Sequence, residues 1–206
     1  MIKSSNIKWT ILTLVLLLLF YSPLLAQNDS LLLQINTDHI QLKKSGMTVL
    51  GTWALSNIAV SGFMMTRTRG VNYHFHEMNV FWNVVNLGIA GGAYYAAVNG
   101  QYADANVLTT LQTQEKFGKI LLFNAGLDLA YVMSGVYLRE RSKNTIKHQH
   151  RLKGYGNSII LQGSFLFAFD LILYGINDSA IQEWMSNNDL YASIYPGGIS
   201  ISYFFN

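Results

Sequence analysis

Four apolar runs, at about 46–66, 78–98, 117–138 and 156–176, set the terms for any fold this chain can adopt. A helix needs roughly 20 residues to cross the hydrocarbon of a bilayer, and each run is close to that length. No water is available there to satisfy an exposed peptide group, so each run must bond its backbone internally, as a helix. Only 12% of the 206 residues are charged, about half the share in an ordinary soluble domain. The expected class is therefore an all-α membrane protein with four transmembrane helices.

The flanking segments complete the layout. Residues 1–26 have Lys3 and Lys8 ahead of the apolar stretch Trp9–Phe20, then Ser22-Pro-Leu-Leu-Ala26. This is the order of regions in a secretory signal peptide, with Ala26 before the cut. Residues 27–45 read as an amphipathic surface helix leading to the membrane, and 46–176 as the four-helix domain. In the tail, 177–206, Ser179–Asn187 reads as a short amphipathic helix, and the alternating ISISYFFN end favours a strand.

Charge sets the orientation. The link after the third run carries Arg139, Arg141, Lys143, Lys147, Arg151 and Lys153 against Glu140 alone, and the link after the first carries Arg67 and Arg69. The positive-inside rule places both in the cytoplasm, with the lead-in, the other link and the tail outside. A cytoplasmic-membrane location follows, with both termini extracytoplasmic once the signal peptide is cut.

The chain repeats itself. Shifted by 72 residues, Lys44-Ser-Gly46 falls on Lys116-Phe-Gly118, and Arg67-Thr-Arg69 on Arg139-Glu-Arg141. With two or three further residues, His74-Phe-His76 falls on His148-Gln-His150 and Gly88 on Gly163. Two parallel hairpins, about 44–100 and 116–175, would form a pseudo-symmetric bundle.

Three groups of residues could carry chemistry. Asp128 and Asp170 lie at bilayer depth, where a carboxylate needs a partner. Ser56 and Asn57 on the first run, Asn79, Asn83 and Asn86 on the second, Asn124 on the third and Gln162 on the fourth could supply one, as could Tyr94 or Tyr131. The resulting polar core would either join the helices or handle a proton, a cation or a small solute. His74, His76, Glu77, His148 and His150 could hold a metal ion or haem. Against this, residues two apart on a helix face nearly opposite ways, and the histidines sit at the membrane edge. Gly88, Gly92 and Ala96, with Gly126, Ala130 and Ser134, form small-residue stripes suited to close helix packing or dimerisation.

Other classes are excluded. The chain has no cysteine, so it has no disulfide, thiolate metal site or cysteine nucleophile. No phosphate loop, hydrolase elbow or nucleic-acid motif is present. No resident cofactor is expected outside the histidine set. The expected partners are the bilayer and a second copy or another envelope protein.

The segment Lys44-Ser-Gly-Met-Thr-Val-Leu-Gly-Thr-Trp-Ala-Leu-Ser-Asn57-Ile, after a leader ending in Ala26-Gln27, resembles an uncharacterised family of small multi-pass cell-envelope membrane proteins of Bacteroidota. The resemblance spans the first repeat and the order of the runs. It implies a cytoplasmic-membrane protein in a didermic envelope and supplies no activity. The sequence reading favours a non-enzymatic structural or assembly component of an envelope complex. A small transporter or channel is second, and a metal- or haem-binding protein third.

Overall fold

The computed structural model describes the backbone at 4–100, 106–187, 190–195 and 198–203, and the side chains at 32–100 and 106–186. Four helices hold all four apolar runs. They are α1 (Ser4–Arg67), α2 (Gly70–Asn99), α3 (Val107–Ser142) and α4 (Gln149–Asn187). A hairpin of β1 (Leu190–Tyr195) and β2 (Gly198–Tyr203) follows. Among the described residues, three helices are long and apolar enough to cross a membrane: α1 from Leu32, α3, and α4 to Ser186.

The exception is α2, and its composition explains why. Asn79, Asn83 and Asn86 recur at i, i+4 and i+7, so they share one face. That face is buried, with the three residues 2%, 0% and 4% exposed. The opposite face presents Phe81, Val85 and Ile89, each more than half exposed. Across the bundle the same inversion holds: Asp128, Gln162 and Asp170 are buried, while Phe123, Met133 and Ile172 are more than 60% exposed. A water-soluble bundle buries its apolar stripe. Polar inside and apolar outside is the arrangement of a membrane protein.

α2 and α4 pack together at the centre, with α1 against α2 and α3 against α4. Glycines set how closely these helices approach. A Cβ added at Gly154 would lie 2.5 Å from the Val71 carbonyl oxygen and 2.7 Å from the Phe75 nitrogen. On the other side of α4, a Cβ at Gly156 would lie 2.6 Å from the Gly135 oxygen, and one at Gly135 would lie 2.7 Å from the Gly156 oxygen. Backbone meets backbone at both crossings, which only glycine permits.

The small-residue stripes expected to serve helix packing or dimerisation make no close crossing within this chain. Added Cβ atoms at Gly88, Gly92 and Gly126 meet nothing within 4 Å, and Ala130 is exposed. A small-residue stripe makes a helix face smooth, but it does not specify which neighbour covers that face. Within this chain Gly135, Gly154, Gly156 and, less tightly, Gly163 approach a neighbouring helix backbone, and the stripes lie on the outer surface.

The turns are built locally. Thr68 and Arg69 join α1 to α2, and Gly70 sits at φ 59, a left-handed conformation that costs an L-residue about 1–2 kcal/mol. α3 opens on a capping box: the Thr109 amide donates to Asn106 Oδ1 and the Asn106 amide to Thr109 Oγ1, both at 3.0 Å. This satisfies amides that the first turn leaves unpaired.

Other expectations change at the ends. The lead-in is no separate surface helix. From Leu32 it belongs to α1, where Ile35 is buried with Leu111 and Trp184 and Asn36 Nδ2 donates to Thr110 Oγ1 at 3.1 Å. Side chains of the expected signal peptide, 1–26, lie outside the described residues. Ser179–Asn187 is the end of α4. The ISISY strand has an antiparallel partner, Leu190–Tyr195, with Ala192 opposite Ile201. The described residues are thus helical with one hairpin after α4.

Candidate functional site

The polar side chains of α1, α2 and α4 meet in one network centred on Gln162. Trp53, Asn57 and Ser61 are four residues apart, so they line one face of α1. Asn79 faces them from α2 and Gln162 from α4. Trp53 Nε1 donates to Gln162 Oε1 at 2.9 Å. Gln162 Nε2 donates to Asn79 Oδ1 and, at 3.5 Å, to Asn57 Oδ1. Asn79 Nδ2 donates to Asn57 Oδ1 at 2.8 Å and to Ser61 Oγ at 2.7 Å. Ser61 Oγ then meets His76 Nδ1 at 3.2 Å. The Trp53 indole also lies flat on Phe165, with ring centres 3.8 Å apart.

Neutral amides saturating one another make a mutual lock, because each group would otherwise be unpaired in an apolar interior. Asn83 Nδ2 continues the run by donating to the Asn79 carbonyl at 2.8 Å. Asn83 Oδ1, Asn86 Nδ2 and Ser158 Oγ are buried without hydrogen-bond partners. These open valences lie beside the lock rather than in it.

A second polar pair joins α3 to α4. The carboxyls of Asp128 and Asp170 are both buried and lie close enough to influence each other. Asp128 Oδ2 has no partner. Asn124, one turn before, is half-buried. Tyr131 packs edge-on against Trp82, with centres 4.9 Å apart, and bridges α3 to α2.

The histidine set divides. His74 Nδ1 meets Glu77 Oε2 at 2.8 Å, and Tyr155 donates its hydroxyl to the same oxygen at 2.9 Å. His76 turns to Ser61. His150 rests beside Gly70. His74, His148 and His150 border an open cleft of about 470 Å³ with Lys147 and Arg151. Among the described residues no three His, Asp or Glu side chains come together in a way that could hold a metal ion. His74, His76, Glu77, His148 and His150 are distributed over these places and do not form one site.

The His74 and Tyr155 bonds hold the Glu77 carboxyl below the usual carboxylate range. A group shifted down stabilises the fold above its unfolded pKa, and the contribution is lost as pH falls through its folded value. Glu77→Gln is therefore expected to lower the melting temperature in detergent at pH 7. Its difference from the unchanged chain should shrink once pH falls below about 4, near the free glutamate value. An equal difference at both pH values would remove Glu77 ionisation from the stability of this corner.

Of the residues the sequence reading expected in a polar core, the structure brings Asn57, Asn79 and Gln162 together and buries Asp128 and Asp170. That reading missed Trp53, Ser61 and Tyr155. Ser56, which it chose, is exposed, as is Tyr94. The i, i+4, i+8 spacing of Trp53, Asn57 and Ser61 was the available signal.

The model of one family, described as a family of unknown function (DUF6992), matches residues 49–171. That range includes every residue of the Gln162 network and both aspartates. No curated protein and no solved structure matches the chain.

Proposed function

This chain belongs to the DUF6992 family of unknown function, and we propose that it serves as a non-enzymatic structural or assembly component of a cell-envelope complex. In this reading all four helices cross the cytoplasmic membrane. α2 is the fourth span, with its asparagines turned inward and its apolar face to lipid. The Arg67–Arg69 and Arg139–Lys153 links lie on the cytoplasmic side, and the terminal hairpin lies outside.

The observation that carries this reading is the Gln162 network. It joins three helices through amide, indole and hydroxyl groups that satisfy one another, as expected of a core that fixes helix positions. The pairing of α1 with α2, α3 with α4, and α2 with α4 fits two duplicated hairpins around a central axis. The outward stripes of Gly88 and Gly92, and of Gly126 and Ala130, offer smooth faces to a second copy or an envelope partner.

The buried Asp128 and Asp170 carboxyls favour a second reading, a small carrier or channel handling protons or cations. Purification of the full-length chain from native membranes in mild detergent separates the two. The scaffold reading expects a stoichiometric envelope partner, and Asp128→Asn affecting function only as far as it lowers folded protein. A chain recovered alone, with proton or cation flux in proteoliposomes abolished by Asp128→Asn at unchanged abundance, would replace the scaffold with the carrier.

A further inference from the structure

Both basic links lie at the same end of the bundle, because His150 at the start of α4 rests against Gly70 at the start of α2. Between His74 of α2 and the α3–α4 link is the open cleft of about 470 Å³, within the range of small-molecule sites. Lys147, His148, His150 and Arg151 line it beside His74. Ile146 also lines it and is 98% exposed.

The chemistry of this lining is one-sided. Among the described residues the lining holds no carboxylate, and the exposed side chains of Lys147, His148 and His150 have no hydrogen-bond or ion-pair partner. Glu77 meets His74 and Tyr155 and offsets part of the Arg151 charge. Glu140 is held by Lys143 at 2.7 Å. The cleft also sits at the positive end of α4, a 39-residue helix with no acid in its first turn. Cationic and N–H donors that converge in this way suit an anion that accepts several hydrogen bonds at once, and a phosphate does so. An ammonium group next to that phosphate would find no carboxylate, so the lining selects a net negative headgroup over a zwitterionic one.

Depth identifies the source of the phosphate. His74 stands four residues before position 78, where the apolar run of α2 begins, and Arg151 five before position 156, where that of α4 begins. Along a helix this is roughly 6–8 Å. The headgroup layer occupies roughly 5–8 Å on each side of the hydrocarbon. We propose that this cleft holds the headgroup phosphate of an anionic phospholipid in the cytoplasmic leaflet, with Lys147 and Arg151 on its oxygens and Ile146 against its glycerol backbone. Basic pockets between helices on the cytoplasmic side are suited to such headgroups. The proposal rests on the membrane arrangement given above and not on an envelope partner, so a chain purified alone leaves it standing.

The test is native mass spectrometry of the full-length chain in mild detergent, titrated with phosphatidylglycerol, phosphatidylethanolamine and phosphatidylcholine of matched acyl chains. Saturable binding of phosphatidylglycerol is expected, roughly tenfold tighter than that of either zwitterionic lipid. Lys147→Gln with Arg151→Gln should remove that preference. Arg141→Gln with Lys143→Gln lowers the charge of the same link equally but lies outside the cleft, and should leave the preference nearly unchanged. If Arg151→Gln lowers the folded fraction, Lys147→Gln alone decides, because its side chain supports no other contact. Millimolar inorganic phosphate should not displace the lipid. The membrane arrangement is tested separately, by the side of native membranes from which a label reaches this link. Three results would overturn the proposal. Equal affinity for the three lipids would leave the cleft without a headgroup, displacement by inorganic phosphate would assign it to a free anion, and equal losses in the two double variants would reduce the preference to diffuse surface charge.

Discussion

Gly154→Ala is expected to separate α2 from α4 and to be strongly destabilising, since Gly154 makes the closest approach among the described glycines. The new Cβ would lie 2.5 Å from the Val71 oxygen and 2.7 Å from both the Phe75 nitrogen and the His74 Cβ. Two of those atoms are backbone in the first turns of α2, so no rotamer change relieves the contact. Overpacking usually costs about 1–3 kcal/mol, and a clash with helix backbone belongs at the upper end. Against it stands helix propensity, which favours alanine over glycine by about 1 kcal/mol. The clash is larger, so the net effect is strong destabilisation. Gly88→Ala and Gly126→Ala meet open space, where propensity alone acts, and they should be neutral or slightly stabilising. Melting temperature and the monodisperse fraction in one detergent give the comparison. A Gly154→Ala chain that behaves like Gly88→Ala would mean that α2 and α4 do not touch at this crossing.

Gln162→Leu is expected to have the second largest effect, through unpaired groups rather than a clash. Leucine has about the same volume and leaves little cavity. It removes the acceptor of Trp53 Nε1 and the donor to Asn57 and Asn79. Hydrogen bonds between membrane helices are worth about 0.6 kcal/mol on average and up to about 1.7. A buried group left unpaired costs about 1–3 kcal/mol. With an indole N–H stranded beside two weakened amides, the loss should be about 2–4 kcal/mol on those scales. Replacing the whole set at once, with Trp53→Phe, Asn57→Leu, Asn79→Leu and Gln162→Leu, leaves fewer orphans. The fourfold variant should therefore be more stable than Gln162→Leu alone. A fourfold variant that loses the sum of its single changes would show that the groups act independently and not as a lock.

These two sites differ in how far they could be read without coordinates. Asn79, Asn83 and Asn86 fall on one face by periodicity, and polar groups in an apolar run must turn from lipid, so their burial follows from the residues alone. The same logic buried Asp128, Gln162 and Asp170. The identity of each partner does not follow. Ser56 and Ser61 are equally plausible by composition, and only the rotation of α1 against α2 selects Ser61. Glycine is ambiguous in the same way. Gly154 and Gly156 occupy no regular small-residue stripe, yet they make the crossings. The regular stripes of Gly88, Gly92, Gly126 and Ala130 remain outside. The two HxH sequences look alike, but the side chains of the first go to different places. His74 pairs with Glu77 and His76 with Ser61. β1 was unread because LYASIY lies between polar residues and Pro196, and its strand character depends on pairing with β2.

The chain has no cysteine, so single cysteines can be introduced without removing any. The direct test of a four-span bundle with a polar interior is labelling of Val85→Cys, Thr109→Cys and Asn144→Cys in native membranes by a membrane-impermeant maleimide. Val85 lies on the exposed apolar face of α2, Thr109 at the start of α3, and Asn144 between the ends of α3 and α4. The expected result is no labelling of Val85→Cys from either side, labelling of Thr109→Cys from outside only, and labelling of Asn144→Cys only when the cytoplasmic face is exposed. Labelling of Val85→Cys from water, or of Thr109→Cys and Asn144→Cys from the same side, would contradict it.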